Sequence, residues 1–89
     1  THSELDPIIT FGSADITLLS IEAPYHLAGK MVKHLLIPGE IQVISITRRG
    51  HAFMPLSGTE FQRGDILHIA VLASGMERFK GLLGLGEGS

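Results

Sequence analysis

The chain has 89 residues, of which 44% are hydrophobic and 18% charged, and it contains no cysteine and no tryptophan. This length fits a single domain with a modest core, and the lack of cysteine excludes disulfides, thiolate metal sites and thiol nucleophiles. A net charge of -2 lacks the basic excess typical of proteins that bind duplex DNA or anionic membranes, and no apolar run approaches the ~20 residues of a membrane span.

The first fourteen residues are predicted to form an N-terminal arm. They mix polar residues with Pro7 and a short apolar run over residues 8–11, which has the composition of an edge strand. Because the chain begins with Thr1, we expect it to be a fragment of a longer protein. The next segment, residues 16–22, is apolar and β-branched and predicts a strand that ends before Pro24.

Residues 26–36 have the periodicity of an amphipathic helix. Leu27, Met31 and Leu35 recur every four residues, and the cationic side chains fall on the other side. Gly29 lowers helix propensity by about 1 kcal/mol relative to Ala, which suggests a close backbone approach at that position.

A turn at Pro38 and Gly39 leads into a predicted second strand over residues 41–48. The Arg49-Gly50 pair favours a tight hairpin into residues 51–54, and Pro55 stops the returning strand early. Residues 59–64 are read as a loop or a short strand.

A last strand is predicted over residues 66–72, with Leu67, Ile69 and Val71 on one apolar face. Ser74 and Glu77 have the spacing of a capping box, which predicts a short second helix that ends at Gly84. The whole pattern predicts an α+β fold with a small, mostly antiparallel sheet and two helices in strand–helix–strands–helix order. Residues 15–83 form the predicted domain, and residues 84–89 a flexible C-terminal tail.

The polar residues do not form a recognisable catalytic or metal-binding motif. The histidines are scattered, with His26 and His34 about 12 Å apart on the predicted helix, so no metal site is expected. The carboxylates show no general acid–base pair and the serines no nucleophile elbow, which argues against an enzyme. The hairpin carries a cluster of three basic side chains, Arg48, Arg49 and His51. They form either an anion-binding group or a solvated turn.

His68 lies in the middle of an otherwise apolar strand. It is either a core histidine with its hydrogen bonds satisfied or a group at the interface of a dimer. Ile66 and Ala70 share its face and suit a contact between subunits, so the predicted dimer interface is Ile66, His68 and Ala70.

The ordered series of these features resembles the TrkA-C domain, also called the RCK C-terminal domain. The residues that carry the resemblance lie between Asp15 and Leu83: Gly29-Lys30, Arg48-Arg49-Gly50, Pro55, and Gly64-Asp65 before the last strand. The resemblance implies a non-catalytic, homodimeric, ligand-sensing domain of a potassium or other ion-transport system. It also implies a cytoplasmic location beside a membrane channel or transporter, and no cofactor in this chain, since the nucleotide site belongs to a Rossmann-type domain upstream.

Some members of that family bind cyclic di-AMP in the cleft between two subunits, through a segment between the first helix and the second strand. The corresponding segment places Ile37, Glu40 and Ile41 as candidate ligand contacts, with Arg48 and His51 as a second choice. Pro38 stands about where those members carry Arg, and Glu40 near their Asn. A carboxylate repels a phosphate, so the segment argues against cyclic di-AMP and leaves another small anionic or nucleotide ligand open.

Two alternative functions remain open from the sequence. Residues 49–55 with Gly64-Asp65 loosely resemble the swapped-hairpin AbrB-like DNA-binding dimers, although the acidic balance of the chain makes a nucleic-acid partner unfavourable. The other alternative is a pure assembly module that binds no small molecule.

Overall fold

The fold is dominated by one sheet in the computed structural model of the protein, which describes residues 5–84. Its five strands are all antiparallel in the order β1-β2-β5-β3-β4. The bounds of the strands are β1 Asp6–Phe11, β2 Ile16–Glu22, β3 Ile41–Arg48, β4 His51–Phe53 and β5 Ile66–Leu72. A single α-helix, α1, spans Met76–Leu82. The strands predicted over 16–22, 41–48 and 66–72 are confirmed, and the arm pairs as an edge strand.

The core lies on one side of the sheet only. Leu67, Ile69 and Val71 of β5 are fully buried on this inner face, as their alternation predicts. Phe79 and Leu83 from the C-terminal segment and Phe61 from the loop before β5 pack against them. Within residues 5–84, the segments that cover the sheet therefore lie on its inner face, and none of them covers the opposite face.

The helix predicted over residues 26–36 is wrong. Two short 3-10 turns, Tyr25–Leu27 and Val32–Leu35, take its place. Between them Gly29 adopts a φ of +88°, which a helix excludes. The amides of Gly29 and Val32 donate to the carbonyls of Phe61 and Thr59, so this segment uses its hydrogen bonds on a neighbouring loop. The leucine periodicity is real, since Leu27 and Leu35 are buried, but Met31 is 41% exposed.

One further local prediction, the capping box at Ser74 and Glu77, is wrong. No side chain caps α1: its N-cap residue is Gly75, and Ser74 lies inside a 3-10 turn over Ala73–Gly75. Alternation along β3 is also broken, because a bulge between Val43 and Ser45 shifts the register against β5. The bulge brings Ile46 onto the inner face beside Val43, although strict alternation placed these two residues on opposite faces.

The hairpin at Arg49 and Gly50 is confirmed. Both residues have positive φ, +52° and +83°, as a tight two-residue turn between twisted strands requires. Gly84 has a φ of +76° just after the helix, which agrees with its predicted role as the helix stop. Residues 85–89 of the predicted tail lie outside the described part of the chain.

Two glycine substitutions should change stability in opposite directions. An added Cβ has open space at both Gly29 and Gly81, but only Gly29 has a positive φ, while Gly81 lies within α1. Gly29→Ala should therefore cost about 1 kcal/mol through backbone strain, whereas Gly81→Ala should stabilise the helix by up to about 1 kcal/mol. Urea unfolding followed by circular dichroism measures both. Equal effects of the two substitutions would contradict the left-handed turn at Gly29.

Candidate functional site

The side of the sheet opposite the core carries a broad apolar surface, which we call the outer face. Cross-strand pairing places Ile9 beside Leu18, Phe11 beside Ile16, and Ala70 between Leu18 and Gln42. The outer-face positions of the five strands are Asp6, Ile9, Phe11, Ile16, Leu18, Ser20, Glu22, Gln42, Ser45, Thr47, Ala52, Ile66, His68, Ala70 and Leu72. Ile9 and Phe11 are each 50% exposed, so apolar surface on this face meets solvent.

One polar row crosses the middle of the outer face. Asp6 pairs with Ser20, Ser20 with His68, and His68 with Ser45. The Nδ1 atom of His68 lies 3.3 Å from the Oγ atom of Ser45, within hydrogen-bonding distance. The predicted interface residues Ile66, His68 and Ala70 are all half-buried and lie together on this face. Their role in a dimer stays a prediction.

A shallow cavity of about 220 Å³ opens at one end of the outer face. It lies where β2 begins, β3 begins and β5 ends, and four of its lining residues belong to the outer face. The lining residues are Ile16, Gly39, Glu40, Ile41, Gln42, Ala70 and Leu72. Two of the predicted ligand contacts, Glu40 and Ile41, therefore line a real concavity, together with Ala70 from the predicted interface.

Glu40 is held at the rim of this cavity by the turn before β3. The amide of Glu40 donates to the carbonyl of Ile37, and its own carbonyl accepts from Leu72. Its Oε1 atom lies 3.2 Å from Nη1 of Arg78, a side chain that is 60% exposed, but no hydrogen bond reaches that oxygen. This carboxylate oxygen is thus shielded from solvent and paired with a cation that is itself open to solvent.

The remaining predicted ligand contacts do not join this cavity. Ile37 is half-buried and packs against the core. Arg48 and His51 lie at the opposite end of β3, about 20 Å from Ile41 along an extended strand. The predicted ligand set is therefore divided between two ends of the sheet, and the roles of its members stay predictions.

Arg48 belongs to a buried ion pair with Asp65. Its Nε and Nη2 atoms donate to the two carboxylate oxygens of Asp65 at 2.9 and 2.8 Å, and Nη2 also donates to the carbonyl of Glu60. The guanidinium lies 5.1 Å from the ring centre of Phe53. Asp65 has no solvent exposure, so this two-pronged contact neutralises a charge inside the core. Sequence reasoning missed the pair, although Gly64-Asp65 was noticed before the strand.

Hydrogen bonding decides the ionisation of Asp65. Burial of the carboxyl group raises its pKa, but the hydrogen bonds from Arg48 and from the amide of Gln62, together with the positive charges of Arg48 and Arg49, outweigh burial, so the pKa of Asp65 is lowered. The pKa of Arg48 is raised, chiefly by its hydrogen bond to Asp65. Both groups are therefore charged at neutral pH, and each depends on the other.

Asp65→Asn should destabilise the domain by about 3 kcal/mol at neutral pH, because it leaves the Arg48 guanidinium without its anion. A lowered pKa in the folded state stabilises above the ordinary aspartate value of ~3.9 and loses that effect as pH falls through the folded value. The gap between wild type and variant should thus be full above about pH 5 and shrink in stronger acid.

Urea titrations at several pH values measure this gap. Glu77→Gln is the control, since Glu77 has an 85% exposed side chain in a surface pair with Lys80 and should change stability by less than about 0.5 kcal/mol. An Asp65→Asn variant as stable as wild type at neutral pH would contradict the structural role of the pair.

Within residues 5–84, no three histidine, aspartate or glutamate side chains are grouped closely enough to hold a metal ion. The helices of this described part are too short and too polar to cross a membrane.

Comparison with solved structures places this fold among RCK domains. A structure described as an RCK domain with cda matches with a TM-score of 0.59 and 21% identity, over 74% of this chain and 96% of that one. The GsuK RCK domain matches with a TM-score of 0.72 and 20% identity over 97% of this chain. The GsuK channel bound to NAD matches with a TM-score of 0.71 and 20% identity, again over 97%.

The chain spans only 19% and 16% of the two GsuK chains, so it corresponds to one part of each. No curated protein matches it in sequence. The sequence model of the TrkA-C domain matches residues 16–84, which include four of the five strands and α1. The chain therefore belongs to the TrkA-C domain family, a family of regulatory domains in potassium transport.

Proposed function

We propose that this domain is a non-catalytic sensor in an ion-transport protein, which pairs with a second copy through its outer face and binds a small ligand in the adjoining cavity. Its expected setting is cytoplasmic, beside a potassium channel or transporter subunit. The main observation behind the proposal is that the outer face and the cavity share residues. Four residues belong to both: Ile16, Gln42, Ala70 and Leu72.

The size of the outer face suits self-association. Five strands spaced by ~4.8 Å and averaging about six residues cover a footprint of roughly 500 Å². Stable interfaces bury about 800 Å² on each partner, and weaker ones less, so the face fits a dimer of moderate affinity. Among residues 5–84 nothing covers the apolar cluster of Ile9, Phe11, Ile16 and Leu18 on this face, which is unusual for a domain that works alone.

The charges on the outer face favour a second copy over nucleic acid. Its strand positions include no lysine and no arginine, and its only carboxylates are Asp6 and Glu22 near one border. Affinity for DNA depends on neutralising phosphates with cations, which this face does not offer. The same face presented by a second copy has apolar side chains beside the central polar row and matches it without burying an unpaired lysine or arginine.

A ligand in the cavity would affect this pairing through shared residues. Contact with a second copy covers the outer-face residues that also form the cavity wall. A ligand that binds the paired arrangement more tightly than the single domain must strengthen pairing by the same factor. That reciprocity is how a small molecule would bias the geometry of an attached transport protein.

The cavity rim suits a nucleotide in one orientation. The carboxylate of Glu40, which is 29% exposed, matches an N–H donor such as the amino group of a base, and the exposed guanidinium of Arg78 matches a phosphate. Phosphate held directly against Glu40 would be repelled. The base would therefore enter the cavity, while the phosphate remains at the solvent side near Arg78.

Thermal unfolding with cyclic di-AMP, NAD and ATP tests this ligand assignment. A nucleotide at about a hundred times its dissociation constant adds about 2.7 kcal/mol, a shift of several degrees in Tm for a domain of this size. Glu40→Gln should alter that shift because the carboxylate acceptor is lost, and Glu77→Gln on α1 should leave it unchanged. No shift with any of the three would contradict nucleotide sensing and favour the assembly-module alternative.

Self-association has its own test. Leu18→Glu places a charge in the middle of the outer face, beside Ile9 and Ala70, and should weaken pairing by at least tenfold. Met54→Glu is the matched control, since Met54 is 82% exposed and is not an outer-face residue. Sedimentation velocity over a concentration series gives both dissociation constants, with circular dichroism to verify folding. A monomer at every concentration would overturn the dimer.

A further inference from the structure

The polar row on the outer face has a histidine near its middle. His68 is the middle member of the row formed by Ser20, His68 and Ser45, and it lies on β5, the central strand of the sheet. An imidazole changes between neutral and cationic forms between about pH 5 and pH 8. His68 is half-buried on a face that is otherwise mostly apolar.

We infer that His68 makes pairing of the outer faces sensitive to acid, so that the dimer forms when this imidazole is neutral and separates when it is protonated. This inference rests on the proposed self-association. In a twofold dimer each surface meets its own copy, and residues at the axis contact their own equivalents. Since His68 lies near the centre of the outer face, pairing brings the two imidazoles together.

Two physical effects then weaken the dimer when the imidazoles are protonated. Contact removes water from both imidazoles, and removal of water disfavours the charged form of a histidine. Protonation of both would also place like charges side by side at short range. A neutral imidazole instead keeps one donor and one acceptor, which match the hydroxyl of Ser45 and a second imidazole.

The nearest charged side chains on the outer face are the carboxylates of Glu22 and Asp6. Glu22 of β2 pairs with Ile66 and is thus the diagonal neighbour of His68, and Asp6 of β1 lies two strands away. The neighbours on β3, Gln42, Ser45 and Thr47, are uncharged, while α1 and the 3-10 turns lie on the inner face. In a second copy the same carboxylates lie equally far from the axis, so pairing brings no closer anion.

Sedimentation velocity on the whole chain near pH 8 and near pH 5.5 tests the inference. The dissociation constant of the wild-type dimer should increase by about tenfold to a hundredfold in acid, since each subunit must release a proton to pair. His68→Gln stays uncharged and should give a dimer whose affinity is nearly independent of pH. His51→Gln is the control, because His51 is exposed on β4 at a position paired with Arg48, and it should retain the wild-type response.

The outcomes separate the inference from the proposal on which it rests. A dimer whose affinity is unchanged or increased in acid overturns the role of His68 and leaves self-association intact. Retention of the acid response in His68→Gln has the same meaning. Absence of a dimer near pH 8 overturns the proposed pairing itself. If the Gln variant does not fold, as judged by circular dichroism, His68→Asn provides a second neutral side chain.

Discussion

Strand β5 is hydrogen-bonded to β2 on one side and to β3 on the other, and this double pairing determines the rest of the molecule. Because side chains alternate along a strand, β5 sends Leu67, Ile69 and Val71 into the core and leaves His68 and Ala70 on the opposite face. A slip of one residue would exchange the two sets, exposing three fully buried apolar side chains. The register that forms the core therefore also forms the outer face and its polar row.

The beginning of β5 is stabilised by an ion pair as well as by packing. Asp65 immediately precedes the strand and is fully buried, so its charge is tolerable only with the guanidinium of Arg48 and the amide of Gln62 in place. Arg48 ends β3, so the ion pair joins the end of one central strand to the beginning of its neighbour. This ion pair is a structural reason for Asp65 and for Arg48, which the sequence alone also allows as a ligand contact.

Strands β2, β3 and β5 were easier to predict than residues 26–36, which lie between β2 and β3. The bounds of β2, β3 and β5 follow from apolar alternation and from Pro and Gly at their ends, because paired strands obey local patterning. Residues 26–36 have helical periodicity, but the positive φ at Gly29 and hydrogen bonds to the loop around Phe61 decide their conformation. Those partners lie about thirty residues away and cannot be read from local spacing. The bulge in β3 was missed for the same reason, since it is a property of two strands.

Only the part of the candidate site that depends on local alternation was predictable from the sequence. Ile66, His68 and Ala70 share a face through local alternation, so their grouping follows from the sequence of one strand. The addition of Ile9 and Phe11 depends on how β1 pairs with β2, and the cavity depends on three strand ends meeting. The Arg78 side chain reaches Glu40 only because α1 folds back beside the turn before β3. Each of these is a long-range consequence of topology.

The position of the cavity limits what kind of sensing is physically available. A ligand can shift an equilibrium only by its difference in affinity between two states. A cavity remote from the outer face would need a conformational change in the domain to create that difference. Here Ile16, Ala70 and Leu72 belong to both surfaces, so a second copy that covers the outer face changes the exposure of the cavity wall directly. A rigid sheet is then sufficient for coupling, and the pH response of His68 acts on the same equilibrium by a separate charge.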